Sequence, residues 1–166
     1  MAQKRRDKIN YYLDIAEVVL VRGTCLRRNY GAIIVKNDEI VSTGYAGAPR
    51  GVANCSDIGT CRRGQLNIPH GERYEICRSV HAEANAIISA ARRDMLGATL
   101  YLVGCEADTG EYVKDANSCS MCKRLIINAG IQNVIIRSTK NDFVVVDVSS
   151  EWIAADDRSG KNISLR

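Results

Sequence analysis

A chain of 166 residues, 46% hydrophobic and 25% charged, is long enough to bury a core in one domain and too apolar to be disordered. Its net charge of +4, from 23 basic and 19 acidic side chains, is too small to argue by itself for nucleic acid or a membrane surface. No apolar run approaches the ~20 residues of a membrane helix, and the basic residues 1–10 lack the apolar core and cleavage site of a signal peptide. The chain therefore reads as one domain over residues 1–166, cytoplasmic and without a membrane partner. Seven cysteines without a secretion signal favour metal ligation over disulfides.

From residue 9 to 22 the apolar side chains Ile9, Tyr12, Leu13, Ala16, Val19 and Leu20 recur at helical spacing, which predicts an amphipathic helix ending near Gly23. Residues 30–36 and 39–45 predict two strands, with Asn37-Asp38 as a hairpin turn between them. A Gly-rich loop follows over 44–51. Residues 52–78 are polar and aperiodic and hold three cysteines and one of the two histidines. Aperiodic segments of that length in a compact domain tend to be functional or pinned. Residues 82–93 predict a second helix, 98–103 a strand, 119–129 a third helix closed by Gly130, 133–137 a strand, and 143–148 a fifth. This order predicts a three-layer α/β/α fold on a mixed five-stranded sheet. The opening hairpin is antiparallel, and the last three strands are expected to run parallel.

Two short stretches carry chemistry. Ser79-Val80-His81-Ala82-Glu83 supplies a histidine and a glutamate two residues on, and Ser118-Cys119-Ser120-Met121-Cys122 supplies two cysteines three apart. Both fall at the starts of the predicted crossover helices, where an α/β sheet places its ligands. Residues three apart share a helix face. His81, Cys119 and Cys122 are thus three zinc ligands of the right kind, and a catalytic zinc keeps its fourth position for water. Glu83 stands beside them and is free to move protons from that water to a ring nitrogen and to a departing ammonia. This order of H-x-E and C-x-x-C is the signature of zinc deaminases. The alternatives are a structural zinc or plain helix starts. Glu83 argues against a structural zinc, which has no need of a carboxylate that is not a ligand.

The segments HAEANAI and SCSMC, preceded by TCLRRNYGAIIV and GYAGAP, resemble the deoxycytidylate (dCMP) deaminase family of the cytidine deaminase-like superfamily, over about residues 9–137. The resemblance implies a cytidine deaminase-like fold and Zn²⁺ on His81, Cys119 and Cys122. It implies Glu83 as proton shuttle, and the backbone N–H of Ala82 near the base carbonyl. Tyr45 and Gly47 would lie near the substrate. It also implies a homo-oligomer and, in many members, control by deoxynucleoside triphosphates. The activity expected is hydrolytic deamination of a free pyrimidine nucleotide, dCMP to dUMP plus ammonia. Rival substrates are a tRNA adenosine, a free base or a pathway intermediate, and the rival from another class is a non-catalytic zinc scaffold. The small net charge and absence of a basic run weigh against nucleic acid.

The chain departs from the family pattern in three places. Ser118 stands where the family usually has proline, and serine can cap the helix. Ala46 stands where many members have an asparagine whose side chain contacts the sugar. Residues 104–117 are longer than the usual link before the cysteines.

Cys25, Cys55, Cys61 and Cys77 could close a second, structural zinc site of the kind some bacterial and phage relatives carry, and His70 could replace one of them. The alternative is scattered buried thiols. Cys105 reads as a strand-end thiol. Arg27, in TCLR, is the best phosphate candidate, with Arg50 and Arg73 behind it.

Overall fold

The computed structural model describes residues 5–155 of the chain. Asn37 and Asp38 both take positive φ, 50° and 69°, as a two-residue hairpin turn requires. They bring β1 (Arg28–Lys36) and β2 (Glu39–Tyr45) together as an antiparallel pair. The chain opens with α1 (Lys8–Leu20), whose first turn is capped by the Asp7 carboxylate accepting from Asn10 N–H. The remaining strands are β3 (Thr99–Glu106), β4 (Asn133–Arg137) and β5 (Phe143–Asp147).

The sheet order is β2-β1-β3-β4-β5. β3 and β4 are parallel, joined through α6 (Ser120–Ala129), while β1 runs antiparallel to β3. β5 corrects the expectation of three parallel closing strands, because it returns antiparallel to β4. Only residues 138–142 lie between them, too few for a crossover.

Strand alternation assigns the two faces. Ile33, Val35, Tyr101, Val103 and Ile135 face α1, whereas Ala32, Ile34, Leu100, Leu102, Val134 and Ile136 face the layer of α6 and α4 (Ala82–Ile88). Leu100 and Leu102 are fully buried, and each such side chain contributes roughly 1.5–3 kcal/mol relative to exposure. Arg137, also fully buried, ties β4 to α1 through Asp14 at 2.7 Å and Glu17 at 2.6 Å.

The predicted second helix is two pieces, α4 and α5 (Arg92–Met95). Ser89 ends the first, its hydroxyl donating back to the Asn85 carbonyl at 2.8 Å, a local bond that competes with helix continuation. The aperiodic segment 52–78 is built from short turns: α2 (Cys55–Ile58), α3 (Arg62–Gln65) and a 3₁₀ turn (Tyr74–Ile76). A π-helical turn, Val148–Ile153, absent from the sequence reading, packs Trp152 into the core beside α6. Among the described residues no helix is long and apolar enough to cross a membrane.

Candidate active site

α4 rests backbone-to-backbone on β2. A Cβ on Gly44 would lie 2.3 Å from the Ala82 carbonyl oxygen and 2.4 Å from the Ala86 nitrogen, so only glycine permits the approach. Two further bonds fix the helix: the Ser42 hydroxyl donates to the Ala86 carbonyl at 2.8 Å, and the Asn85 amide donates to the Tyr45 carbonyl at 2.8 Å. Just upstream, Val80 and Gly47 exchange backbone bonds of 2.8 and 3.2 Å. His81, the N-cap of α4, is therefore held from both sides.

Cys119 is the N-cap of α6, and the two caps meet. His81 Nδ1 lies 3.4 Å from Cys119 Sγ and 3.5 Å from Cys122 Sγ. Among the described residues this is the one group of His, Cys, Asp or Glu that brings three donor atoms within 4.8 Å of one another. A tetrahedral zinc with ordinary Zn–N and Zn–S bonds separates its donors by about 3.5–3.8 Å. The donor set fits that metal.

Glu83, 4% exposed, sits behind these donors. Burial pushes its carboxyl up, opposed by the pull of His81, and Ser118 lies against it. The paired thiols polarise each other: Cys119 is pulled down by hydrogen bonding from Cys122 and from His81, and Cys122 is pushed up. His81 is raised, because its bond to Cys119 and the Glu83 charge outweigh desolvation.

A cavity of ≈ 660 Å³ opens over the cluster, a size suited to a nucleotide. His81, Ala82, Glu83 and Cys119 form one end. Arg27, Arg28, Arg63 and His70 line another part of the wall.

Residues 6–138 match the family model described as cytidine and deoxycytidylate deaminase zinc-binding region. The chain belongs to this family. It is 38% identical over 136 residues to the deoxycytidylate deaminase of Mycobacterium phage D29, covering 79% of this chain and 94% of that one. The deoxycytidylate deaminase of Schizosaccharomyces pombe is 29% identical over 133 residues, 80% of this chain but only 37% of the longer yeast protein. Among solved structures, dCMP deaminase from the cyanophage S-TIM5, in complex with dCMP and dUMP, superposes with a TM-score of 0.55 at 24% identity, covering 82% of this chain and 85% of that one.

Against the family pattern, this deaminase-family chain resolves its departures physically. Ser118 does not cap α6, since Cys119 takes that position; the Ser118 side chain is instead buried against Glu83. Ala46 lines the cavity, while its neighbours Tyr45 and Gly47 are not among the lining residues. Strand alternation continues past β2, so the Tyr45 side chain is partly exposed and Gly47 is taken up by its bridge to Val80. The long segment 104–117 folds back on β3 through a Cys105–Tyr112 bridge and delivers Val113, Lys114 and Asn117 to the cavity wall. Cys105 itself is buried on the α1 face of the sheet.

Arg27 lines the cavity with its Nη1 buried and without a hydrogen-bond partner. Arg50 is exposed and outside the cavity wall, and exposed Arg73 pairs with Glu75. Arg63 and Tyr74, neither singled out from the sequence, also line the cavity. They lie in the aperiodic segment, where no spacing marks them.

Cys25, Cys61 and Cys77 lie along the same cavity, with Cys55 buried close by. Burial pushes the Cys55 and Cys77 thiols up; Cys55 senses the other three cysteines, and Cys77 senses Cys25 and Cys61. Cys25 Sγ accepts the Arg27 N–H at 3.5 Å, and Cys77 accepts from the Ser79 backbone. His70 turns elsewhere: its Nε2 lies 2.5 Å from Arg28 Nη1.

Proposed function

We propose that this chain deaminates a free pyrimidine deoxynucleotide, dCMP to dUMP with release of ammonia. The observation that carries the reading is Glu83, a buried carboxylate beside three zinc donors in a cavity of nucleotide size. Metal-binding clusters that only brace a fold have no use for such a group. The substrate comes from likeness to relatives that are deoxycytidylate deaminases and from a structural neighbour complexed with dCMP and dUMP.

His81, Cys119 and Cys122 would hold the zinc. When bound, zinc supplies Lewis acidity that brings the pKa of water toward ~7. Glu83 then serves as the proton carrier. Its carboxyl, raised by burial, is poised to accept a proton from water, pass it to the ring nitrogen of the base and assist the leaving ammonia. The Ala82 N–H, at the tip of α4, is placed to bind the base carbonyl. Tyr45 and Gly47, outside the cavity wall, would bear on the sugar only through Ala46 between them, and Arg27, with its buried and unpartnered Nη1, would meet the phosphate.

A second, structural zinc on Cys25, Cys55, Cys61 and Cys77 belongs to the same reading. Its support is that the four thiols lie in one region and that N–H groups are aimed at two of the sulfurs, since such donors favour thiolate, although no three of the four sulfurs lie within 4.8 Å of one another in this structure. Seven free thiols also suit a reducing, cytoplasmic location.

The test is ammonia release by the purified, zinc-loaded protein from dCMP, CMP, dCTP, deoxycytidine and cytosine. dCMP is expected to turn over with the highest kcat/KM. Equal turnover of deoxycytidine and dCMP would overturn the nucleotide reading.

A further inference from the structure

Arg63 carries a charge that no carboxylate among the described residues pairs with. It sits in α3, is 5% exposed, and lines the active-site cavity. Its Nη2 donates to the Pro69 carbonyl at 2.7 Å, and its guanidinium carbon lies 4.4 Å from the centroid of the Tyr74 ring. Its Nε is buried with no hydrogen-bond partner. None of the ion pairs among the described residues includes it. Two acidic groups sense its charge from nearby: Glu75, which is exposed and engaged by Arg73, and the Cys77 thiol, which burial pushes up. Arg28, by contrast, is matched to Glu106 at 2.8 Å.

A buried cation without a counter-ion is costly, and one carbonyl and a ring face do not replace a full negative charge. Tyr74, which underlies the Arg63 guanidinium, also stands against the His81 ring, so Arg63 shares the cavity with the metal donors. Arg27, on the same cavity, also presents a buried nitrogen without a partner.

We propose that Arg63 binds the 5′-phosphate of the nucleotide substrate, with Arg27 as its second donor. Tyr74 backs the guanidinium, whose planar fork is matched to phosphate oxygens. No carboxylate of the described residues pairs with the guanidinium, and the substrate supplies the anion. The proposal rests on the nucleotide reading above and adds to it the residue that distinguishes nucleotide from nucleoside.

The experiment uses the full-length, zinc-loaded protein and its Arg63→Met and Arg63→Lys variants. Thermal stability is measured alone, with dUMP and with deoxyuridine, alongside zinc content and steady-state kinetics on dCMP. The wild type should be stabilised more by dUMP than by deoxyuridine. Arg63→Met should fold with its zinc and an unliganded Tm at or above wild type, because an unpaired buried charge is gone. It should lose the advantage of dUMP over deoxyuridine and raise KM for dCMP about tenfold to a hundredfold, with kcat changed far less. Arg63→Lys should recover only part, since a point charge lacks the fork. Arg63→Met with a wild-type dUMP advantage and KM overturns the proposal. So does a Lys variant that restores Tm lost in the Met variant without changing nucleotide preference, which marks a packing role. A wild type showing no preference for dUMP refutes instead the nucleotide reading beneath it.

Discussion

The Tyr74 ring stands edge-on to the His81 imidazole, with centroids 4.8 Å apart and planes at 88°. The same phenol underlies the Arg63 guanidinium. One side chain thus braces a metal donor and a cation of the cavity wall. Groups that fix the orientation of a ligating histidine typically change metal affinity 10–100-fold, on the order of one to two decades. Tyr74→Ala should therefore weaken zinc affinity by about tenfold in chelator competition, whereas Tyr74→Phe, which keeps the ring edge, should not.

Glu83→Gln should keep zinc near wild type and lose turnover. The substitution spares all three donors and removes the group that carries protons. General acid–base groups are worth roughly 10²–10⁴ in rate, so kcat should fall by at least about a hundredfold. His81→Ala and Cys119→Ala should lose metal and activity together. Metal analysis and ammonia assay on one preparation distinguish the two outcomes; a Glu83→Gln protein that loses zinc yet stays active would refute the assignment.

Acid should attack the fold through Arg137. Desolvation raises the Asp14 carboxyl, but hydrogen bonds from Arg6 and Arg137 outweigh it and hold the pKa below the ordinary value. A depressed carboxylate contributes stability above its unfolded pKa, and that contribution is lost as pH falls through the folded value, so the window opens below pH ~4. Protonating Asp14 takes a partner from a guanidinium whose side chain is 0% exposed. The Asp14→Asn, Glu17→Gln double variant should imitate that at neutral pH. It should lose about 3–5 kcal/mol of stability, the usual cost of stripping partners from a buried charge, and its urea midpoint should depend less on acid than that of wild type.

What could be read in advance is what short windows encode. Asn37-Asp38 fixed the hairpin because its positive φ values are a local property of those residue types. His81, Glu83, Cys119 and Cys122 stood out because each motif fits within a helix turn, and helix starts meet at a predictable end of an α/β sheet. The direction of β5 was misjudged although the five-residue link that decides it was in view. The break after α4 depends on one side-chain bond, from Ser89 to Asn85, that no periodicity announces. Arg63 and Tyr74 were invisible for a different reason. Their roles arise from packing between short turns of an aperiodic segment, where spacing carries no signal.

That same segment should depend on metal. If Cys25, Cys55, Cys61 and Cys77 hold a structural zinc, native mass spectrometry should find two zinc ions per chain. Cys55→Ser should then cost stability before chemistry, because structural zinc contributes directly to folding. A loss of about 3 kcal/mol lowers Tm by roughly 6–12 °C in a domain of this size. One zinc per chain with all seven cysteines reduced excludes the second site.

Arg27 sets the last expectation. A neutral loop cannot tell dCMP from deoxycytidine, because the two differ only in a phosphate. Arg27 precedes β1 and lines the cavity, its backbone carbonyl pinned by the Ala107 N–H at 2.9 Å and one guanidinium nitrogen buried without a partner. The backbone is thus fixed while the side chain is left with a donor to give. A hydrogen bond to a charged group is worth roughly 1.5–3 kcal/mol, so Arg27→Ala should lower kcat/KM for dCMP by about tenfold to a hundredfold. The loss should fall on KM rather than kcat, the mark of binding shared by ground state and transition state. Because Ala46 offers no polar group beside the sugar, the unmutated protein should discriminate weakly at that position, with CMP processed measurably beside dCMP. An Arg27→Ala variant that loses kcat while KM holds would place the residue at the reacting end instead, and rejection of CMP by more than about a thousandfold would require a sugar-reading group that Ala46 cannot be.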